Sequence, residues 1–318
     1  MNKEYRLNVL SLFDGMSCGQ IALERAGFKI KNYFAAEIDK YAIKVTQANY
    51  PNTIQLGDVK KVSVKNFPKI DILIGGSPCQ GFSFAGKQLN FDDPRSKLFF
   101  EYARILKEVK PRYFLLENVR MKKESQDIIT KYLGVEPIEI NSSLVSAQSR
   151  KRLYWTNIPN IQQPEDKGIL LKDIIEDEAK GYGSYVDRAK SLTLTASYSK
   201  NPQHTDQKRK QMIEVGHAKE IKGRDSLKRV YSVEGKCPTL TAVCGGHQEK
   251  KITTDNVTWR KLTLTECERL QTVPEGYTAH VSNTQRYKML GNGWTVDVIA
   301  HIFKNMDFKK DSKNEKFS

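Results

Sequence analysis

The sequence predicts an α/β protein in which a doubly wound, mostly parallel sheet is joined to a smaller, basic, loop- and strand-rich domain. Three observations carry that expectation. Over the first 160 residues short apolar runs alternate with helix-patterned stretches, the signature of βα units that build a parallel sheet with helices on both faces. From about residue 160 to 258 the chain is polar and rich in Lys, Gly, Ser and Thr. Beyond Arg260 the apolar pattern returns, with helix signals at 265–271 and 296–304.

The elements follow in order. Residues 8–13 read as a first strand, followed by the turn Asp14-Gly15-Met16-Ser17-Cys18-Gly19 and a helix over 20–26. A second strand over 33–37 ends in Glu37, and a helix over 40–49 stops near Pro51. Residues 53–56 lead into Gly57-Asp58-Val59. The run Ile70-Asp71-Ile72-Leu73-Ile74 reads as a buried strand that delivers Gly75-Gly76-Ser77-Pro78-Cys79-Gln80-Gly81-Phe82-Ser83. A helix over 96–109 carries Leu98, Phe99, Tyr102, Ile105 and Leu106 at helical spacing, and a strand over 113–116 delivers Glu117-Asn118-Val119. The expected division is a large domain of residues 1–160 plus 286–308, a smaller one of 161–285, and a frayed tail of 309–318. In the smaller domain Ser191-Leu192-Thr193-Leu194-Thr195-Ala196 is echoed by Cys237-Pro238-Thr239-Leu240-Thr241-Ala242, which reads as two half-buried strands.

Composition narrows the function classes. The 318 residues carry a formal net charge of +15, which favours a polyanionic partner. Residues 180–251 hold fifteen Lys and Arg against seven Asp and Glu, a net +8. More than half of the excess charge thus lies in under a quarter of the chain, as expected of a nucleic-acid face. The five cysteines (Cys18, Cys79, Cys237, Cys244, Cys267) are odd in number and scattered, so a reducing compartment fits better than a disulfide framework. No leader and no apolar stretch of membrane-spanning length is evident, and the expectation is a soluble cytoplasmic protein with no membrane partner. His217, Cys237, Cys244 and His247 lack the C-x-x-C spacing of a zinc site, so no metal is expected.

The strand ends hold the chemistry. A strand that ends in Gly-Gly and then presents Pro78-Cys79 places a thiol at the carboxyl edge of the sheet, where such sheets hold ligands. Cys79 is therefore placed to act as a nucleophile. Gly15 and Gly19 allow backbone to approach a ligand ahead of a helix N-terminus. Glu37 is suited to ribose hydroxyls and Asp58 to an exocyclic amine, so the three turns outline a nucleoside pocket. The absence of G-x-G-x-x-G favours a compact adenosine cofactor over a dinucleotide.

Taken together, the motifs resemble the cytosine-5 DNA methyltransferase family. They are Phe13-Asp14-Gly15, Glu37, Gly57-Asp58-Val59, Gly76 to Ser83, Glu117-Asn118-Val119 and Gln148-Ser149-Arg150-Lys151-Arg152, then Arg260-Lys261-Leu262-Thr263, Glu268-Arg269-Leu270-Gln271 and Gly291-Asn292-Gly293. They stand in the family's order and cover nearly the whole chain outside 160–258. The resemblance implies a Rossmann-like methyltransferase fold with a target-recognition domain, S-adenosylmethionine as methyl donor, and a flipped-out cytosine in double-stranded DNA as acceptor. It also implies roles residue by residue. Cys79 adds to carbon 6, and Glu117 bonds ring nitrogen 3 as an acid. Arg152 meets the cytosine carbonyl and a phosphate, and Arg150 supports the loop. Arg150 and Arg152 are expected on one face of a strand.

Phe13 stacks on adenine, while Asp14, Ile38, Val59, Pro78, Leu98 and Gly293 complete the cofactor set with Gly15, Gly19, Glu37 and Asp58. Asn292 lines the methionine end; the following Gly293-Trp294 departs from the small hydroxyl residue that many members place after the Asn. Gln80, Ser83, Gln148, Lys151, Thr239 and Thr241 are candidate DNA contacts. The loop over 80–95, with glycines at 81 and 86, is the candidate to close over the base. The expected state is a monomer, with any cognate restriction endonuclease not bound as a stable complex. Competing readings are a transfer-RNA cytosine-5 methyltransferase, a non-catalytic DNA-binding relative and, least supported, a nicotinamide oxidoreductase.

Overall fold

The structure is a computed structural model that describes residues 5–77, 97–176, 183–187, 212–218, 220–242, 248–255 and 258–308. It divides into two units, one of residues 1–140, 151–163 and 296–318, the other of 141–150 and 164–295.

The strands in chain order are β1 (Arg6–Leu12), β2 (Lys29–Ala36), β3 (Ile54–Gln55), β4 (Ile72–Gly75), β5 (Tyr113–Val119), β6 (Ile138–Asn141), β7 (Gln148–Ser149) and β8 (Lys151–Thr156). All but β7 form a seven-stranded sheet in the order β3-β2-β1-β4-β5-β8-β6. Pairings β2–β3, β1–β2, β1–β4 and β4–β5 are parallel, while β5–β8 is antiparallel. The expected doubly wound α/β architecture is present, and the strand order turns between β1 and β4, the switch point where ligands bind in such sheets.

Helices α1 (Cys18–Arg25), α2 (Lys40–Asn49), α3 (Lys97–Val109) and α4 (Lys123–Leu133) belong to this unit. Phe99, Tyr102, Ala103 and Ile105 of α3 are buried with Leu12, Leu73, Leu116 and Trp155 in one core, which accounts for the apolar stripe seen in the sequence. The sequence reading has no counterpart for α4. Its signal is Ile129 and Leu133, four apart and both buried, followed by Gly134 in the left-handed conformation that ends the helix.

Gly19 packs rather than binds. A Cβ there would lie 2.4 Å from Ile74 Cδ1 and 2.8 Å from the Tyr33 hydroxyl, so this glycine lets α1 sit close against the sheet. That replaces the ligand-approach role expected of it. Gly19→Ala is expected to destabilise the protein by about 1–3 kcal/mol, the usual cost of overpacking. A urea midpoint unchanged from wild type would count against this packing role.

The second unit contains a closed barrel, β10-β11-β13-β14-β9, built from β9 (Gly183–Asp187), β10 (Glu214–Ala218), β11 (Arg229–Ser232), β13 (Lys251–Thr253) and β14 (Thr258–Lys261). A one-turn helix, α5 (Asp225–Lys228), leads into β11. Ala218, Ile221, Val230 and Trp259 form a small core here. The short strand β12 (Cys237–Pro238) pairs in parallel with β7. The strand expected over 237–242 is therefore two residues long; its presumed echo at 191–196 lies outside the described residues. Residues 141–150 and 286–295 belong to this unit and not to the larger one, because β7 pairs with β12 and α6 (Leu264–Leu270) packs against α7 (Asn283–Asn292). Helix α8 (Val296–Phe303) then packs on α1 in the first unit, where Arg25 pairs with Asp297 at 2.8 Å.

The polar motif residues 260–271 are architectural. Arg260 holds both carboxylate oxygens of Glu266, at 2.8 and 2.7 Å, with both side chains buried. Glu266 also accepts from the backbone N–H groups of Thr263 and Glu176. Glu268, fully buried, accepts from the N–H groups of Gly276 and Thr278, from the Thr278 hydroxyl and from Arg286. Such acids are tolerated in a core because each carboxylate oxygen finds a donor.

Candidate active site

The first unit collects its chemistry at the carboxyl ends of β1, β2, β4 and β5. After β1 the chain turns through Phe13, Gly15 and Ser17, all at positive φ (59°, 59° and 58°). Two of these are not glycine, which is a strained arrangement that its surroundings must hold. The Asp14 side chain does so, accepting from the Ser17 hydroxyl and, at 2.7 Å, from the Tyr33 hydroxyl. The Asp14 N–H donates to the Ala36 carbonyl. Glu37 completes the turn: one oxygen accepts from the Gly15 N–H at 2.7 Å, the other from the Ile38 and Asp39 N–H groups.

These residues fit an adenosine group. A Cβ on Gly15 would meet nothing within 4 Å, so open space adjoins the turn. Ile38 is 76% exposed at the end of β2, an apolar face beside a carboxylate. Asp58 caps the turn over Val59–Lys61 by accepting from the Lys60 N–H, and Val59 is buried beneath it. Phe13 and Leu98 are half-buried against the core. Apolar faces flanked by two carboxylates suit a purine with hydroxyl and amine donors. The Asp14 carboxyl differs from the ligand contact expected of it, since it points inward to Ser17 and Tyr33.

Burial pushes the Asp14 carboxyl up to about 6; the hydroxyls of Ser11, Ser17 and Tyr33 oppose that shift and the Glu37 charge adds to it. The folded protein therefore holds a proton there between about pH 4 and 6 that the unfolded chain has shed. The Asp14 contribution to stability is greatest at low pH and declines as pH rises through 6. The melting temperature of Asp14→Asn minus that of wild type is expected to rise over this window and level off above about pH 7. A difference that does not vary with pH would refute the inward, enclosed placement of this carboxyl.

Strand β4 ends at Gly75, where a Cβ would stand 2.8 Å from the Leu12 carbonyl and 3.1 Å from the Tyr102 ring; only glycine lets the strand leave the sheet here. In register, Gly75 lies beside Leu116 of β5, so the chain running on toward Cys79 departs next to Glu117. Pro78, Cys79, Gln80 and Ser83, with the rest of 78–96, lie outside the described residues. Glu117 pairs with Arg152 Nε at 3.0 Å across the antiparallel β5–β8 edge, and both side chains are largely buried. Asn118 donates to the Ser77 hydroxyl at 3.2 Å, tying the two strand ends together.

The second unit holds the remaining candidates. Gln148 is fully buried: its carbonyl accepts from the Leu240 N–H and its amide donates to the Leu270 carbonyl. It cannot meet DNA, contrary to expectation. Arg150 is 2% exposed and donates to the carbonyls of Leu240 (3.0 Å), Gly291 (3.2 Å) and Gly293 (3.0 Å). Its role is support rather than contact with the base. Arg150 lies between β7 and β8 rather than within a strand, so the alternation that was to aim both arginines at one face does not operate. Thr239 donates to the Ser149 carbonyl at 2.7 Å, while Thr241, Lys151 and Asn292 are exposed.

Sequence reasoning missed Lys236, a fully buried lysine whose ammonium donates to the carbonyls of Ser143, Ser146 and Ile169. Nothing in hydropathy marks such a residue. Among the described residues no group of His, Cys, Asp and Glu could hold a metal ion; Cys244 and His247 are not among them. Cys237 is buried, and burial pushes its thiol up to about 12. No helix among the described residues is long and apolar enough to cross a membrane.

A turn with three positive-φ residues, the Glu37 carboxylate and the Glu117–Arg152 pair thus stand at the carboxyl ends of strands in a doubly wound sheet, where such sheets bind ligands. A family model for C-5 cytosine-specific DNA methylases matches residues 7–307, and the chain belongs to that family. It is a DNA (cytosine-5-)-methyltransferase. Among its relatives, the type II methyltransferase M.HhaI of Haemophilus parahaemolyticus is 31% identical, the match covering 94% of each chain. The type II methyltransferase M1.ScrFI of Lactococcus lactis subsp. cremoris is also 31% identical, over 96% of this chain and 79% of the relative. In fold the chain is similar to the Entamoeba histolytica methyltransferase EhMeth (TM-score 0.66, 17% identity, 95% and 98% of the two chains). It is similar also to the S. pombe Dnmt2 methyltransferase (TM-score 0.64, 18% identity, 94% and 98%).

Proposed function

We propose that the protein transfers a methyl group from S-adenosylmethionine to carbon 5 of a flipped-out cytosine within a short duplex DNA sequence, through a covalent Cys79 adduct at carbon 6. The observation that carries this is the Glu117–Arg152 pair at the strand end beside which the chain departs toward Cys79. Carbon 5 of cytosine is a weak nucleophile. Addition of the Cys79 thiolate at carbon 6 pushes electrons into the ring, and Glu117, as an acid, bonds ring nitrogen 3 where charge collects. Arg152 orients Glu117 and offers donors to the cytosine carbonyl. Bound S-adenosylmethionine supplies a methyl group made electrophilic by its sulfonium. Once carbon 5 carries the methyl group it sheds its proton, the carbon–sulfur bond at carbon 6 breaks, and aromaticity returns.

Phe13, Gly15, Glu37, Ile38, Asp58 and Val59 would hold the adenosine part, with Pro78, Leu98, Asn292 and Gly293 toward the methionine. The second unit would read the duplex with its concentrated positive charge, Thr241 and Lys151 being accessible to DNA and Gln80 and Ser83 expected beside the flipped base. One site and one target base need no symmetry, so the enzyme works as a monomer, which light scattering on the purified protein would check. Any cognate endonuclease acts separately. The test is transfer of label from S-adenosylmethionine to unmethylated duplex DNA and, in parallel, to transfer RNA, with products mapped by bisulfite sequencing. Label on DNA cytosines in one repeated short context is expected. Label on RNA alone would keep the chemistry and overturn the substrate.

A further inference from the structure

Within the second unit, residues 239–242 and 290–293 are joined more tightly than packing requires. A Cβ on Gly291 would fall 2.2 Å from the carbonyl carbon and oxygen of Thr241 and 2.5 Å from the Ala242 nitrogen, so the two backbones touch with no side chain between them. Arg150 clamps the contact: one terminal nitrogen donates to the Leu240 carbonyl, the other to the Gly291 and Gly293 carbonyls. Gln148 fixes the Leu240 N–H on one side, and Gln271 donates to the Leu290 carbonyl at 2.6 Å on the other. Beyond this buried clamp each segment presents one exposed side chain, Thr241 on the first and Asn292 on the second.

We infer that Arg150 is a positioning residue that couples the two ligands, so that DNA held by the 239–242 segment and cofactor held by the 291–293 segment each tighten binding of the other. This rests on the proposed function, which gives those segments their ligands. The physical basis is the planar guanidinium, whose donors are fixed in one fork. When a ligand orders one segment, the fork and the backbone contact order the other, and the second ligand meets a site already arranged. Coupling of this kind is reciprocal: the factor by which DNA changes cofactor affinity equals the factor by which cofactor changes DNA affinity. Two other accounts of Arg150 make different predictions. A base contact is incompatible with its burial, and a purely structural staple would lower stability without changing the ratio of affinities.

The experiment measures the Kd of S-adenosylhomocysteine alone and with a saturating unmethylated duplex that carries the context mapped by bisulfite sequencing, and then the reverse. In wild type each ligand is expected to tighten the other by about tenfold, within the usual range for coupled sites. In Arg150→Met, which keeps an unbranched stem but has no donor for either segment, the factor should fall below about twofold. A variant that keeps the full wild-type factor, or a wild type with a factor of one, overturns the inference. Hydrogen exchange on wild type supplies a test that needs no variant. S-adenosylhomocysteine alone should slow exchange at the amides of 240–242, and duplex alone should slow it at 291–295. Absence of this cross-protection in an enzyme that methylates DNA overturns the coupling and leaves the proposed function standing. A wild type that neither methylates nor binds these ligands instead overturns the proposed function.

Discussion

Cys79→Ser is expected to abolish methyl transfer, with activity down by at least about 10⁴-fold, while binding of cofactor and duplex persists. The change removes no bulk of consequence and keeps a hydroxyl where the thiol stood. What it removes is the thiolate. A thiol with an ordinary pKa of about 8.5 is a few per cent ionised at neutral pH and its anion is a strong, polarisable nucleophile. A serine hydroxyl is essentially never ionised there, and the acid at ring nitrogen 3 that activates carbon 6 in the proposed scheme does not replace the missing anion. A duplex with 5-fluorocytosine at the target separates this loss from a folding defect. Fluorine cannot leave carbon 5 as a proton does, so wild type should accumulate a protein–DNA adduct that survives denaturing gels, and the variant should form none. Adduct formation by the variant would remove Cys79 from the role of nucleophile.

The second large effect is expected at Glu117. Glu117→Gln keeps the shape and a hydrogen bond to Arg152, whose Nε stands 3.0 Å from the native carboxylate, but has no acidic proton to place on ring nitrogen 3. A fall in kcat of about 10²–10⁴, with little change in duplex affinity, is the expected result for loss of a positioned acid. Arg152→Ala should cost less alone, and the double variant should cost less than the sum, because the pair acts as a unit. Additive losses in single-turnover assays would show that the two side chains work independently.

The sheet was legible because its strands are apolar runs and its turns carry Gly, Asp and Glu at the ends that matter. Strands β1, β2, β4 and β5 and helices α1, α2 and α3 lie within a few residues of their expected bounds, and the ordered motifs pointed to the family that the whole-chain match shows. The second unit was not legible for a physical reason. Its barrel strands are three to five residues long, too short for alternation to register, and β12 finds its partner some ninety residues away in β7. Polarity misled as well. Gln148 was expected at the DNA, and side chains such as Arg150, Lys236 and Glu266 ordinarily lie at a surface, yet all four are buried, held by backbone groups or an ion pair that no local pattern announces. Gly19 misled in the opposite sense: a glycine in a turn before a helix suggested ligand approach, and the Ile74 side chain shows it to be a spacer.

The chain enters the second unit twice, first for residues 141–150 and again for 164–295, and this limits how that unit can be exchanged between relatives. A transplant of residues 164–295 alone would carry Lys236, Thr239 and Leu240 away from the carbonyls of Ser143, Ser146 and Ser149 and the amide of Gln148 that they engage. The smallest graft that keeps its own seams is therefore bipartite. A chimaera that carries both stretches together should remain soluble and active where the single-segment swap fails, so the short piece between β6 and β8 travels with the second unit even though it adjoins the large sheet in sequence.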